Sequence, residues 1–121
     1  MTAYSFVSAN EEIPRHQAPV AYIGIYYSRP TRLFYRDKSV ENDQFGTEIR
    51  GMVNVMLENH FQYDFILDDQ ISRERLQTYK LVILPNVRCM SDEDIIVLKN
   101  YVRDGGTLLA TYATSLYNTE G

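Results

Sequence analysis

The sequence has no tryptophan, one cysteine and two histidines, and its acidic residues outnumber its basic ones to leave a formal charge of -4. Each scarcity removes a class of function. The single cysteine, Cys89, cannot close an internal disulfide, and no second cysteine or histidine stands near it at metal-ligand spacing. His16 and His60 are far apart in the chain, so neither a zinc site nor a metal cofactor is expected. Nucleic acid is set aside because phosphate contacts need a concentrated basic face, whereas the 12 lysines and arginines are scattered among 16 acids. No apolar run approaches the roughly 20 residues of a membrane-spanning helix. The opening stretch, MTAYSFVSANEEIPRHQ, lacks the basic start and apolar core of a signal peptide. A cytoplasmic location is therefore expected, for an intracellular segment or a piece excised from something longer.

What the chain does have is an ordinary globular balance, 45% hydrophobic and 23% charged, over 121 residues. That is enough for one domain with a real core and too little for two. Its organising stretch is 79–112, YKLVILPNVRCMSDEDIIVLKNYVRDGGTLLATY. Leu81, Val82, Ile83 and Leu84 form an unbroken apolar run that fits a strand covered on both faces in a parallel sheet. Ser91 occupies an N-cap position, and Asp92, Glu93 and Asp94 complement the positive end of the helix dipole. Ile95, Leu98, Tyr101 and Val102 recur at helical spacing, and Gly105 and Gly106 stop the helix. With the β-prone run 107–111 this makes a βαβ unit, whose strands are parallel with a right-handed crossover.

The rest of the chain is expected to extend that unit. Residues 1–19 read as an approach segment, and 20–121 as the domain proper. Residues 20–27 (VAYIGIYY) read as a central first strand, in which Gly24 permits the close approach of a helix. A polar loop follows over 28–43, with Arg29, Arg32 and Arg36 and the apolar cluster Leu33, Phe34 and Tyr35, which is expected to pack over the sheet edge. Phe45, Ile49, Met52, Val53, Met56 and Leu57 mark an amphipathic helix, with Gly51 placed under a close neighbour. Residues 63–67 read as a second strand and 72–77 as a brief helical turn with Leu76 inward. The order β-α-β-α-β-α-β predicts a flavodoxin-like α/β sandwich with strands in the order 2-1-3-4. Such a domain ordinarily continues into another helix and strand, so truncation or completion by another element is expected.

In such sheets ligands sit beyond the carboxyl ends of the strands. A flavin cradle would need a short glycine-rich loop running directly into a helix, and a phosphoacceptor receiver would need acids clustered after the first and third strands. Neither is present; Asp68 and Asp69 follow the second strand instead. A glutamine amidotransferase would place a cysteine on the turn after 107–111, where Tyr112, Ala113 and Thr114 stand. Cys89 lies in another loop, two residues before the Ser91 cap; a reactive thiol with its pKa lowered by the helix dipole is the lesser expectation, and a small, partly buried apolar residue the favoured one. No pair of carboxylates is spaced for glycoside hydrolysis. Ten tyrosines leave room for a sugar-stacking or subunit surface.

The strand ending in Leu84, Pro85 and Asn86, the cap at Ser91 to Glu93, the stop at Gly105 and Gly106, and the run Thr114 to Tyr117 resemble one known group. It is the amidotransferase-like middle domain, the β-galactosidase trimerisation domain, that follows a catalytic barrel in family-42-like and related glycoside hydrolases. Tyr27 to Thr31 followed by Phe34 and Tyr35 resembles that group's first loop. The resemblance implies a class I glutamine amidotransferase-like, flavodoxin-like fold without the nucleophile. It also implies a non-catalytic role in assembling subunits, with the catalytic acids on a barrel outside this chain. The expected partners are further copies in a dimer or trimer, a catalytic barrel domain, and a carbohydrate. No catalytic residue and no cofactor is expected here. The expected functional face carries Ser28, Arg29, Arg32, Tyr112, Ser115 and Tyr117. A small thiol enzyme using Cys89 and a small-ligand binding module are the competing readings.

Overall fold

The computed structural model describes residues 22–34 and 43–118. Within them β1 (Ile23–Tyr27), α1 (Arg29–Phe34), α2 (Gln44–Glu58), β2 (Tyr63–Leu67), α3 (Arg73–Leu76), β3 (Leu81–Leu84), α4 (Asp92–Arg103) and β4 (Thr107–Ala110) follow in order. The four strands form one parallel sheet in the order β2-β1-β3-β4, as the alternation of elements predicts. None of the described helices is long and apolar enough to cross a membrane.

Side chains alternate across a strand, so each face of the sheet has its own core. On one face Tyr26, Ile66, Val82 and Leu84 meet Leu76 of α3 and Leu98 and Tyr101 of α4. On the other Ile23, Ile25 and Ile83 meet Met56 of α2, with Ile49 and Met52 packed against them. Ile25, Ile66, Leu76 and Val82 are fully buried, which makes this two-sided core the main source of stability.

The caps fall where the residue types predict. The Ser91 hydroxyl accepts from the Asp94 N–H at the start of α4, and Gly105, at φ 101°, supplies the left-handed residue after its end. Asp43 begins α2 by accepting from the Gly46 N–H at 3.0 Å, and Arg32 pairs with its other oxygen at 3.0 Å. The Gly46 hydrogen bond holds the Asp43 carboxyl below the usual carboxylate range; burial opposes the shift and Arg32 adds to it.

Several expectations change. The stretch after β1 is not loop throughout: α1 starts at Arg29, directly behind the strand. Proline at position 30 does not prevent this, because the first turn of a helix leaves its N–H groups unpaired in any case. Leu33 and Phe34 do not pack over the sheet edge but stand 77% and 50% exposed. Gly24 makes room for the side chains of Ile66 in β2 and Tyr79 after α3, not for a helix: a Cβ there would lie 2.5 Å from Ile66 Cδ1 and 3.1 Å from Tyr79 Cδ2. Among the described residues nothing lies within 4 Å of the position a Cβ on Gly51 would take, so none of them is the close neighbour expected there. Leu57 and Val102, placed on apolar stripes by spacing, are exposed. The approach segment 1–19, the residues 35–42 with Tyr35 and Arg36, and the strand start at Val20 lie outside the described residues.

Candidate functional face at the carboxyl ends of the strands

The backbone leaving β1 is tied to the backbone leaving β3 by two buried hydroxyls. Ser28 caps α1, its Oγ accepting from the Thr31 N–H at 3.1 Å while donating to the Cys89 carbonyl at 3.1 Å. Thr31 returns the tie, its Oγ1 accepting from the Cys89 N–H at 2.9 Å. Ser28, Thr31 and Cys89 are all buried. Satisfying both main-chain groups of Cys89 in this way lets an irregular segment lie inside the fold. Ser28 is therefore a strut below the expected face.

Cys89 is buried, which fits the favoured reading of a small apolar residue and not the reactive thiol. Burial pushes its thiol up, outweighing the opposing influences of Thr31 and Arg88. A thiol that is covered and held protonated is a small apolar filler. A disulfide reagent is expected to label Cys89 in denaturant and to leave it unmodified in the folded chain; rapid labelling of the native protein at neutral pH would restore the thiol reading.

The two arginines of the expected face are engaged. Arg29 Nε donates to Asp68 Oδ1 at 2.8 Å and its Nη2 lies 3.1 Å from Asp69. Asp68 also accepts from the Arg29 N–H at 3.2 Å. Burial raises the Asp68 pKa, yet these Arg29 hydrogen bonds overcome it and hold the carboxyl below its ordinary value. Arg29 is half exposed, so the ion pair orients the loop after β2 more than it stabilises the fold. With Tyr27, Pro30, Leu33 and Phe34, the side chains of Arg29, Arg32 and Asp68 line an open concavity of about 610 Å³.

Tyr112, Ser115 and Tyr117 belong to a second region, where the chain after β4 is laced back onto the chain after β3. The Ser115 N–H donates to the Val87 carbonyl at 2.7 Å, the Tyr117 N–H to Arg88 at 2.9 Å, and the Met90 N–H to Tyr117 at 3.2 Å. Side chains join in: Val87 N–H donates to Thr114 Oγ1, and Asn86 N–H to Thr111 Oγ1, which donates in turn to Glu48 Oε2 at 2.6 Å. Asn86, Tyr112 and Ser115 all take positive φ, 48°, 51° and 62°. Three such residues at one end of a sheet are uncommon for side chains bearing a Cβ, and the lacing is what holds them there. Arg88 lies with its guanidinium carbon 5.6 Å from the centroid of the Tyr112 ring, and donates to Asn86 Oδ1 at 3.3 Å and Gln44 Oε1 at 2.8 Å. Tyr112 remains 75% exposed above it.

The expected face is thus two patches. One joins Arg29 and Arg32 to the exposed Leu33 and Phe34. The other gathers Tyr112 and Tyr117 with Arg88, Gln44 and Glu48. Asn86 and Thr114 are legible in the sequence as residues of this end of the sheet, and Thr31 as part of the resemblance, but their ties are not, and the α2 residues Gln44, Thr47 and Glu48 carry no signal there; Asn86, following Pro85, has a local one, since asparagine tolerates the left-handed region. Among the described residues no group of three or more histidines, cysteines and acids is placed to hold a metal. The carboxylates near the face are already used, Asp43 in a cap, Asp68 with Arg29, and one Glu48 oxygen with Thr111.

Among curated proteins no sequence matches the chain. Solved structures do. A β-galactosidase from Bifidobacterium adolescentis superposes with a TM-score of 0.65 at 21% identity, over 81% of this chain and 42% of that one. A GH42 β-galactosidase from G. stearothermophilus and its catalytic mutant each give 0.68 at 24% identity, over 82% of this chain and 14% of theirs. At these identities the likeness is one of fold, and this chain spans less than half the length of each. The family model described as the β-galactosidase trimerisation domain matches residues 21–121, through all four strands and both laced loops, and the chain belongs to that family as a non-catalytic accessory domain.

Proposed function

We propose that this chain is the assembly module of a longer β-galactosidase-like protein, and that it joins copies of itself through the patch around α1. Membership of the trimerisation family supports the role. The single observation that supports the place is the pair of apolar side chains on α1, Leu33 at 77% and Phe34 at 50% exposure, projecting beside the 610 Å³ concavity. Apolar and aromatic side chains displayed next to a hollow are the usual anchors of a subunit contact, and Arg29 and Arg32 give it a charged rim. A closed trimer joins unlike faces, so the patch would meet a different surface of the next copy. The catalytic residues would lie on the barrel of the longer protein, and any sugar that protein cleaves would be bound there.

Sedimentation across a wide concentration range tests this. The chain is expected to self-associate, and the double substitution Leu33→Glu with Phe34→Ser to raise the dissociation constant by about tenfold or more, a loss of at least about 1.4 kcal/mol. Both positions are exposed, so fold stability should stay within about 0.5 kcal/mol of the parent. A monomer at every concentration, or association untouched by the double substitution, removes the patch from consideration. The reading as a thiol enzyme is not favoured, because Cys89 is covered and protonated.

A further inference from the structure

Tyr112 is the wall shared by two concavities. One, of about 310 Å³, is lined by Gln44, Thr47, Glu48 and Tyr112; the other, of about 340 Å³, by Arg88, Tyr112, Ala113, Leu116 and Tyr117. Each lies at the lower end of the range of about 300–1,000 Å³ in which small-molecule sites fall. The ring between them is unusually well fixed for one so exposed. Its backbone is left-handed, the turn beneath it is laced to β3 and the segment after it, and Arg88, clamped by Asn86 and Gln44, interacts with the ring. A ring held this way loses little freedom when something settles on it.

The neighbouring polar groups have capacity to spare. Glu48 gives Oε2 to Thr111, which leaves Oε1 to accept. Gln44 gives its carbonyl oxygen to Arg88, which leaves its NH₂ group to donate. The Thr47 hydroxyl accepts from Arg50 at 3.2 Å and keeps its own proton to give. A carboxylate, a primary amide and a hydroxyl beside a flat apolar ring suit a ligand with one face of C–H bonds and a rim of hydroxyls that both donate and accept. That is the surface of a pyranose. An anion would meet Glu48, and a purely apolar molecule would leave the amide and carboxylate dehydrated and unpaired.

We propose that the Tyr112 ridge is a carbohydrate-binding site for a neutral oligosaccharide of two or more hexopyranose units. One unit stacks on Tyr112 and bonds to Gln44, Thr47 and Glu48, and the next lies across the ridge against Leu116 and Tyr117. The site shares no residue with the α1 patch, so it stands whether or not that patch joins copies.

The test is an amide-resolved NMR titration of the chain with lactose, with glycerol as the hydroxyl-bearing control. Lactose is expected to give saturable shifts at Gln44, Thr47, Glu48 and Tyr112 with a Kd of about a millimolar, the range of a shallow single-ring contact. Tyr112→Gly removes the ring while suiting the left-handed backbone, so the turn is retained, and it is expected to weaken binding about tenfold or more. Tyr112→Phe, which keeps the stacking face, is expected to stay within about twofold. Absence of saturable shifts, equal shifts with glycerol, shifts confined to other residues, or lactose binding by Tyr112→Gly as tight as by the parent would each overturn the proposal.

Discussion

Replacing Gly106 with alanine is expected to cost the fold about 2–4 kcal/mol. The new Cβ would fall on the ring of Tyr101, against its Cζ and both Cε atoms. That ring is 6% exposed, and its hydroxyl donates to the Tyr79 carbonyl at 2.9 Å, so it cannot turn aside without breaking a buried hydrogen bond. Nor can the backbone retreat easily, because the Gly106 N–H donates to the Tyr101 carbonyl and β4 begins at the next residue. Urea unfolding of the variant beside the parent reads the loss directly. A change below about 0.5 kcal/mol would mean that the α4–β4 junction is slack enough to absorb a methyl group.

Leu76→Ala should be of similar size, about 2–5 kcal/mol, for the opposite reason. Here atoms are removed from a filled site. Leu76 is fully buried among the residues packed beneath α3 and α4, and α3 is only four residues long. A helix that short has almost no stability of its own, so its single inward side chain is what fixes it to the sheet. Native chains have only about 5–15 kcal/mol in hand, so either substitution would remove a large share of it. Leu57→Ala is the control. Leu57 has the same chemistry but is 59% exposed on α2, and its loss should stay within about 0.5 kcal/mol. If the two leucine variants unfold at the same urea concentration, α3 is not part of the cooperative core.

The contrast between Leu76 and Leu57 also shows which parts of the fold were legible in the sequence. Period and punctuation were: the apolar run 81–84, the Ser91 cap and the glycine stop gave β3, α4 and β4, and the order of elements gave the strand order. Spacing, however, reports only that residues share a face. Whether another element covers that face is a tertiary fact, so Leu57, Val102 and Gly51 were placed against neighbours that the structure does not put there. The α1 helix was missed because a proline and three arginines look like loop, although a serine two residues before a proline is also how a helix can begin. The residues named for the face do fall at the carboxyl end of the sheet, but the sequence does not show that they divide into two patches. The ties that sort it connect residues far apart in the chain, Thr31 with Cys89 and Glu48 with Thr111, and such pairs leave no local pattern. The burial of Cys89 fits the favoured reading of it as a small apolar residue, but the two hydroxyls that hold its backbone come from about 60 residues earlier in the chain and leave no sign beside it.

Every strand pair in this sheet is parallel, and that has a kinetic cost. Ile23 lies beside Tyr63 and Leu81, and no two neighbouring strands are joined by a tight turn. There is consequently no hairpin from which the sheet can nucleate. Each pairing must await the closure of a long loop, which places such topologies among the slower folders of their size. Of the two crossovers that join neighbouring strands, β3-α4-β4 is shorter than β1-α2-β2, and its helix is capped at both ends, so it is the natural place for the first native contacts to gather. Until β1 and β2 arrive, the apolar run of β3 is exposed on its β1 side to any other unfinished chain. Copies made close together are then at risk of pairing before each has closed its own sheet.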